Sequence, residues 1–201
     1  MAGPARLQST DWTDKKRSFQ NDCPADRRSA PGVRFNLIDK IVSIDERRVV
    51  AVKQVSLAEE YLADHFPTFP VLPGVMMLET LVQAAGWLMH ARSDFACSMA
   101  VLKEVRNVKY GRFVAPGEAL RVEVESADKP ATFKAAGRVD GRQAVAARLE
   151  LAYFNLADRR PSLAPIDRRL IEHHRRRWAL IAPNDATAAD MTANPMEGAT
   201  Q

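Results

Sequence analysis

The sequence predicts an α+β domain in which a small antiparallel sheet wraps around one buried central helix. Three features predict it: one largely apolar helical stretch, short β-rich runs on both sides of it, and the dipeptide Asp140-Gly141 between two of those runs. Asp-Gly between two such runs is a strong signal for a tight antiparallel hairpin. A single helix packed against an antiparallel sheet is an α+β layout.

The predicted elements follow the order β-β-α-β-β-β-(β), with links short enough for antiparallel neighbours. Each predicted strand is a β-rich or alternating run bounded by polar or turn-forming residues. The runs cover residues 37–44, 49–55, 98–108, 120–124, 132–139 and 142–154.

The predicted helix covers residues 75–91, directly after Pro73-Gly74, and is rich in Met, Leu and Ala. Apolar residues occupy every side of it, and a helix that is apolar all round is buried rather than lying on a surface. Because a small sheet covers only part of such a helix, a second sheet is expected to help. We therefore expect a homodimer or a higher homo-oligomer.

Length and composition restrict the class of protein. The 201 residues, 46% hydrophobic and 27% charged, are typical of one globular domain with tails. The most apolar segment is interrupted by Glu79 and Gln83, so no integral membrane span is expected. The first thirty residues lack an apolar signal region, and Cys23 and Cys97 form neither a disulfide framework nor a metal-ligand pattern. These observations favour a reducing cytoplasm and no metal site.

The chain divides into four predicted parts. Residues 1–32 and 183–201 are poor in aliphatic side chains and are predicted to be disordered. Residues 33–157 form the predicted domain. Residues 158–182 form a predicted basic, amphipathic C-terminal helix.

That C-terminal helix contains the whole net charge of the protein. Residues 156–181 contain seven arginines and three acidic residues, a net charge of +4, which equals the net charge of the whole chain. Because the charge is confined to one appendage, with no platform of aromatic and basic residues, no nucleic-acid partner is expected. Three interpretations of the helix stay open: packing on the body of the dimer with a solvated basic face, docking of an acidic carrier protein, and contact with anionic lipid. The predicted packing stripe is Leu163, Ile166, Leu170, His174, Trp178 and Ile181.

Glu79 is the only charged residue between Val75 and Met89. Burial raises the pKa of a carboxyl by roughly 3–5 units, so a buried acid keeps its proton near neutrality, as a general acid requires. Gln83 lies one helical turn further on and could hydrogen-bond the carboxyl. Two structural interpretations stay open for Glu79: a solvent-facing position at the helix mouth, or a buried ion pair.

His65 lies upstream of this helix, on a loop that contains Pro67, Pro70 and Pro73. Proline fixes the backbone φ angle and so stiffens the loop. A rigid loop would hold the imidazole at a fixed angle near the start of the helix. His65 and Glu79 are therefore the candidate acid-base pair.

These residues resemble the signature of the 3-hydroxyacyl-(acyl-carrier-protein) dehydratases, hot-dog-fold enzymes of fatty acid synthesis. The resemblance is carried by His65-Phe66-Pro67, by Pro73-Gly74-Val75, and by Glu79 with Gln83-Ala84-Ala85-Gly86. Segments 35–40 and 108–118 are similar to flanking parts of the family's pattern. The likeness covers roughly residues 34–154.

The resemblance implies a role for each matched position. His65 and Glu79 would be catalytic, Gly74 would offer its backbone N–H to the thioester carbonyl, and Gln83 would support the carboxyl. We also expect Phe66 and Phe69 to contact substrate. The facing His and Glu would come from two subunits. The substrate would be a (3R)-3-hydroxyacyl thioester of acyl carrier protein or coenzyme A, the product a trans-2-enoyl thioester, and no cofactor would be needed.

The chain departs from the family pattern beside the histidine. Thr68-Phe69 replace the expected Gly-His, and Asp64 stands where Gly is usual. None of these changes removes a catalytic group. Two alternative functions stay open: a hot-dog acyl thioesterase that uses Glu79, and a non-catalytic hot-dog subunit that pairs with an active dehydratase.

Overall fold

The computed structural model of the chain describes residues 35–66 and 68–183. The predicted disordered segments lie outside the described residues, apart from Pro183 at the start of the second. Pro67 lies outside them as well, and so does the side chain of Asp64.

The helices and strands match the order expected from the sequence. The strands are β1 (Lys40–Ile44), β2 (Arg48–Gln54), β3 (Met99–Tyr110), β4 (Ala119–Ser126), β5 (Thr132–Val139) and β6 (Arg142–Phe154). The helices are α1 (Tyr61–Asp64), α2 (Gly74–Arg92) and α3 (Ala164–Ile181), with short 3₁₀ turns at Leu156–Asp158 and Pro161–Leu163. Only α1 and the two 3₁₀ turns were not predicted.

All neighbouring strands run antiparallel, in the order β1-β2-β4-β5-β6-β3. The β5–β6 hairpin turns at Asp140 and Gly141, whose φ angles are 49° and 75°. Two consecutive positive φ angles are the geometry that makes Asp-Gly favourable in a two-residue hairpin. The register continues from this turn, where Val139 pairs with Arg142.

The central helix α2 packs on the sheet and contacts β2, β3, β4, β5 and β6. Its sheet-facing residues are fully buried, and so are the strand residues opposite. The buried side chains are Leu81, Ala84, Ala85 and Leu88 on α2, with Leu120, Val122, Val124 and Val145 on the sheet. The expected α+β class, a single antiparallel sheet around a central helix, is confirmed.

The helix is not buried all round, however. Val75 is 69% exposed, and Glu79 and Gln83 are partly exposed. In the single chain the sheet covers only one side of α2, and Glu79 lies on the side that the sheet leaves open.

The C-terminal helix α3 is held against the domain by both polar and apolar contacts. Asp167, which is buried, accepts hydrogen bonds from the N–H groups of Leu156 and Ala157 and from the Ser98 hydroxyl. Trp178 is buried against Trp87 of α2, with ring centroids 6.0 Å apart. The helix is therefore packed on the domain.

The predicted packing stripe of α3 is only partly correct. Trp178 and Ile181 are buried, whereas Ile166 is 43% exposed. Asp167, the next residue, occupies the inward position instead. Its hydrogen bonds to Ser98 and to the chain after β6 require that orientation of the helix.

Candidate active site

The first residues of α2 have backbone N–H groups without hydrogen-bond partners among the described residues. Pro73 caps the helix, and its carbonyl accepts hydrogen bonds from the N–H groups of Met76 and Met77. The N–H groups of Gly74 and Val75 have no hydrogen-bond partner in the described part of the chain. Such free N–H groups at the positive end of a helix suit a developing negative charge.

Gly74 has a further structural reason to be glycine. A Cβ at this position would lie 3.1 Å from the Tyr110 ring, which is closer than about nine in ten Cβ contacts in proteins. The bare backbone therefore lets Tyr110 approach the mouth of the helix.

Gln83 is oriented by the segment that leads into β1. Its side-chain oxygen accepts a hydrogen bond from the Leu37 N–H at 2.9 Å, and its amide NH₂ donates to the Phe35 carbonyl at 2.8 Å. The same NH₂ donates to Glu79 Oε1 at 3.0 Å. Because a backbone N–H occupies the amide oxygen, the NH₂ must face Glu79. The support of the carboxyl by Gln83 thus has a defined geometry, and no described residue hydrogen-bonds the other oxygen, Oε2 of Glu79.

The tautomer of His65 follows from one hydrogen bond. Its Nδ1 lies 2.9 Å from the Val71 carbonyl oxygen. A carbonyl only accepts, so Nδ1 carries the proton, and in the neutral ring the lone pair is on Nε2. His65 is therefore held with Nε2 ready to act as a base.

Phe66 and Phe69 are exposed on the loop that follows this histidine. The Phe66 ring lies 4.5 Å from the His65 ring, and Phe66 has a positive φ of 57°. The Phe69 ring meets Phe113 edge-on at 5.9 Å. Each of the three phenylalanines is more than half exposed. They form an aromatic rim, which we define as Phe66, Phe69 and Phe113.

A cavity of about 210 Å³ lies along the open side of α2. Glu79 and Gln83 line it, together with Gly86, Trp87 and His90 further along the same helix. The residues before β1 and those of α3 form the other walls, namely Phe35, Asn36, Ile38, His173, His174 and Arg177.

The predicted site residues therefore fall into two groups within one chain. Glu79 and Gln83 share the cavity, whereas His65, Phe66, Phe69 and Gly74 are not among the residues that line it. Among the described residues, the Glu79–Gln83 pair and the His65 loop therefore do not share this cavity.

The end of the cavity away from Glu79 is lined by His90, which is buried, and His174, which is partly buried. The rings of His90 and His174 are 4.5 Å apart, and Tyr153 Oη lies 3.3 Å from His90 Nδ1. Burial, with a smaller contribution from nearby His174, lowers the pKa of His90 to about 3. Burial also lowers the pKa of His174, whose Nε2 donates to the Ser98 carbonyl at 3.0 Å. Both rings are therefore neutral at pH 7.

Residues 30–148 match the model of the FabA-like domain family. The chain belongs to the FabA-like domain family. The FabA-like match and the antiparallel sheet around α2 together give the hot-dog fold expected from the sequence.

Several curated relatives are similar to this FabA-like domain. The 3-hydroxyacyl-(acyl-carrier-protein) dehydratase FabZ of Solibacter usitatus is 37% identical over 137 residues, covering 65% of this chain and 83% of that protein. The enzyme of the same name from Pelotomaculum thermopropionicum is 36% identical over 121 residues, covering 59% and 86%. A solved dehydratase heterocomplex, ApeI:P from Xenorhabdus doucetiae, is 18% identical with a TM-score of 0.43, covering 54% of this chain and 89% of that chain.

Sequence reasoning missed several residues around the FabA-like site. Tyr110 at the helix mouth, His90 in the cavity and Arg177 on α3 were not assigned roles there. A signal existed for His90, since Glu79, Gln83, Gly86 and His90 repeat at helical spacing. None existed for Arg177, which the sequence placed on the solvated face of its helix.

Neither a metal cluster nor a membrane span is found in the described residues. They contain no group of three or more His, Cys, Asp or Glu side chains that could hold a metal ion. None of the described helices is long and apolar enough to cross a membrane.

Proposed function

We propose that this chain eliminates water from (3R)-3-hydroxyacyl thioesters of acyl carrier protein to give trans-2-enoyl thioesters. The observation that supports this most strongly is the hydrogen bond from Gln83 to Glu79 on α2. These two residues lie in a region that is 37% identical to a relative named as a dehydratase. The relatives are named for the carrier-protein thioester, and that substrate is part of the proposal.

The reaction needs a base at C2, an acid at the 3-hydroxyl and a partner for the enolate oxygen. His65 would take the C2 proton on Nε2, since Nδ1 already donates to Val71. Glu79 would give a proton from Oε2 to the departing hydroxyl, which leaves as water, while Gln83 holds Oε1. The N–H of Gly74 would donate to the thioester oxygen as negative charge develops there.

We further propose that the working unit is a homodimer in which His65 of one subunit faces Glu79 of the other. A carboxyl that donates a proton near neutral pH works best when it is shielded from water. Glu79 is partly exposed in one chain, so a second copy would supply the missing cover as well as the imidazole.

Two surface features support such a second copy. Strand β3 is a 12-residue strand at the edge of the sheet, and β6 is its one partner among the described strands. A long free edge is a template for pairing with another strand. Val75, Tyr110 and the aromatic rim are also more than half exposed. An exposed apolar surface of this kind marks an interaction site.

The test is an assay of purified protein with 3-hydroxyacyl thioesters of acyl carrier protein and of coenzyme A. We expect enoyl absorbance without release of thiol. Free thiol would instead indicate thioester hydrolysis, and neither signal would indicate a non-catalytic subunit. Acyl chain length, the carrier and the cytoplasmic location stay predictions until measured.

The roles of the two residues are tested by substitution. His65→Ala and Glu79→Gln should each lower kcat by roughly 10²–10⁴, the usual contribution of a general acid or base. Glu172→Gln is the matched control, because Glu172 is an exposed carboxyl paired with Arg176 on α3. Near-normal turnover in either site variant would contradict the assignment.

The shared site is tested by mixing the two inactive variants. If each site uses one His65 and one Glu79 from different subunits, exchange of subunits creates one intact site in each mixed dimer. We expect partial recovery of activity after mixing. A mixture that stays inactive despite demonstrated subunit exchange would show that each site is built within one chain.

A further inference from the structure

Helix α3 adds a polar wall, which includes one arginine, to the cavity that Glu79 lines. It begins at Ala164, beyond the residues 30–148 that match the FabA-like family. Its residues His173, His174 and Arg177 face the same cavity as Glu79 and Gln83. This part of the wall is therefore an addition to the domain that the family pattern describes.

Arg177 differs from the other arginines of α3 in its surroundings. Its guanidinium is partly buried and donates from Nη2 to the Ile38 carbonyl at 3.2 Å. It forms no ion pair with any described carboxylate, whereas Arg176 pairs with Glu172. A guanidinium carries five N–H donors, so most of its donors stay open to a ligand in the cavity.

The position of Arg177 relative to Glu79 follows from a chain of hydrogen bonds. Gln83 bonds both Glu79 and the Leu37 N–H, and Ile38, the next residue, accepts from Arg177. Arg177 and Glu79 also line the same cavity of about 210 Å³. A ligand held at Glu79 needs only a short chain to reach the guanidinium.

The cavity wall is mixed rather than apolar. Apolar groups come from Phe35, Ile38, Val82 and Trp87, but imidazole and guanidinium groups close the end that α3 forms. A long hydrocarbon tail placed there would remove these polar groups from water without replacing their hydrogen bonds, which is costly. A carboxylate would instead accept two parallel hydrogen bonds from an arginine.

From these contacts we propose that Arg177 is a specificity residue that binds a carboxylate at the far end of a short acyl chain. The inference rests on the proposed function for the ligand's identity as a 3-hydroxyacyl thioester. The preferred substrate class is then a short 3-hydroxyacyl thioester that ends in a carboxylate, not in a methyl group.

The test compares pairs of 3-hydroxyacyl thioesters with equal chains of four to eight carbons, one ending in methyl and the other in carboxylate. For wild-type protein, we expect kcat/KM to favour the carboxylate member of the best pair by about tenfold or more. Arg177→Ala should abolish that preference, and Arg177→Lys should retain part of it, because lysine keeps the charge but not the bidentate geometry. Arg169→Ala, an exposed arginine of the same helix, is the matched control and should retain it fully.

Two outcomes would overturn the inference while leaving the dehydratase proposal intact. One is a wild-type preference for the methyl-ended substrates. The other is a carboxylate preference that is equal in wild-type protein and Arg177→Ala, with correct folding of both shown by circular dichroism.

If wild-type protein dehydrates neither substrate, the proposed function is refuted but the carboxylate site is not. A binding measurement then tests the site directly. Calorimetric titration with pentanoate and with pentanamide compares two probes of one length that differ in the charged end. We expect pentanoate to bind more tightly to wild-type protein and at least tenfold more weakly to Arg177→Ala. Equal affinities of pentanoate for the two proteins, or no binding of pentanoate to either, would refute a carboxylate site at Arg177.

Discussion

Replacement of His90 should change how the stability of this protein depends on pH. His90 is 5% exposed, and burial lowers the pKa of His90 to about 3, against 6.5 for an unperturbed histidine. Between those two values the unfolded chain binds a proton at His90 and the folded protein does not. The free energy of unfolding must therefore rise with pH across that window and fall on acidification.

The magnitude follows from the pKa difference. At pH 5.0 the solution is about 1.5 pH units below the pKa of His90 in the unfolded chain. Each unit corresponds to about 1.36 kcal/mol. Acidification from pH 7.5 to 5.0 should therefore lower the free energy of unfolding by about 2 kcal/mol through His90 alone. Other groups also contribute to the total slope. Only the difference between wild-type protein and a His90 variant isolates this residue.

The assay is urea unfolding of wild-type protein and His90→Asn at pH 7.5 and 5.0, at one fixed protein concentration because a dimer's stability depends on it. Asparagine keeps a polar atom near the position of Nδ1, which contacts Tyr153 Oη. The variant will be less stable than wild-type protein at both pH values. Its free energy of unfolding, however, should fall by about 2 kcal/mol less between pH 7.5 and 5.0 than that of wild-type protein. His174→Asn is the companion variant, because burial lowers the pKa of His174 in the same direction.

Equal losses in wild-type protein and His90→Asn would refute the reasoning. An independent readout is the NMR titration of the His90 ring in the wild-type protein. The ring should show no protonation between pH 8 and 5. A midpoint near 6.5 would mean that the ring is hydrated, and the predicted stability effect would not exist.

Three further predictions test packing and site geometry. Trp178→Ala should destabilise the protein by about 3–5 kcal/mol in urea unfolding, because it empties the contact between α3 and α2; a loss below about 1 kcal/mol would mean that α3 is not docked there. Gly137→Ala should cost about 1–3 kcal/mol in the same assay, since the new Cβ would lie 2.9 Å from both Leu120 and Val145 side-chain atoms; an unchanged midpoint would contradict that packing. Gln83→Leu should lower kcat by about tenfold or more, because it removes a hydrogen bond to a charged or reacting carboxyl; unchanged steady-state kinetics would exclude the supporting role.

The fold was largely predictable because its signals are local. The predicted strands 132–139 and 142–154 coincide with β5 and β6, and the helix prediction differs from α2 by one residue at each end. Alternation, a Pro-Gly at the helix mouth and Asp140-Gly141 each act within a few residues. The Glu79–Gln83 hydrogen bond was predictable for the same reason, since residues four apart lie on one side of a helix.

The surroundings of the site were less predictable because they depend on contacts between distant segments. The sequence alone placed Glu79 inside an apolar helix, but the sheet covers only the opposite side of α2. The orientation of α3 is set by Asp167, whose partners lie on Ser98 and on the chain after β6. That orientation turns Arg177 inward, although Arg175 and Arg176, which directly precede it, are exposed.

The sequence by itself determined the kind of fold, the position of the carboxyl on the central helix and the amide beside it, because side-chain periodicity and turn chemistry operate over a few residues. Only the tertiary structure decided which side of that helix stays open, which nitrogen of His65 is free and which arginine enters the cavity. Those outcomes depend on hydrogen bonds between residues that are far apart in the sequence, and no local sequence pattern specifies such contacts.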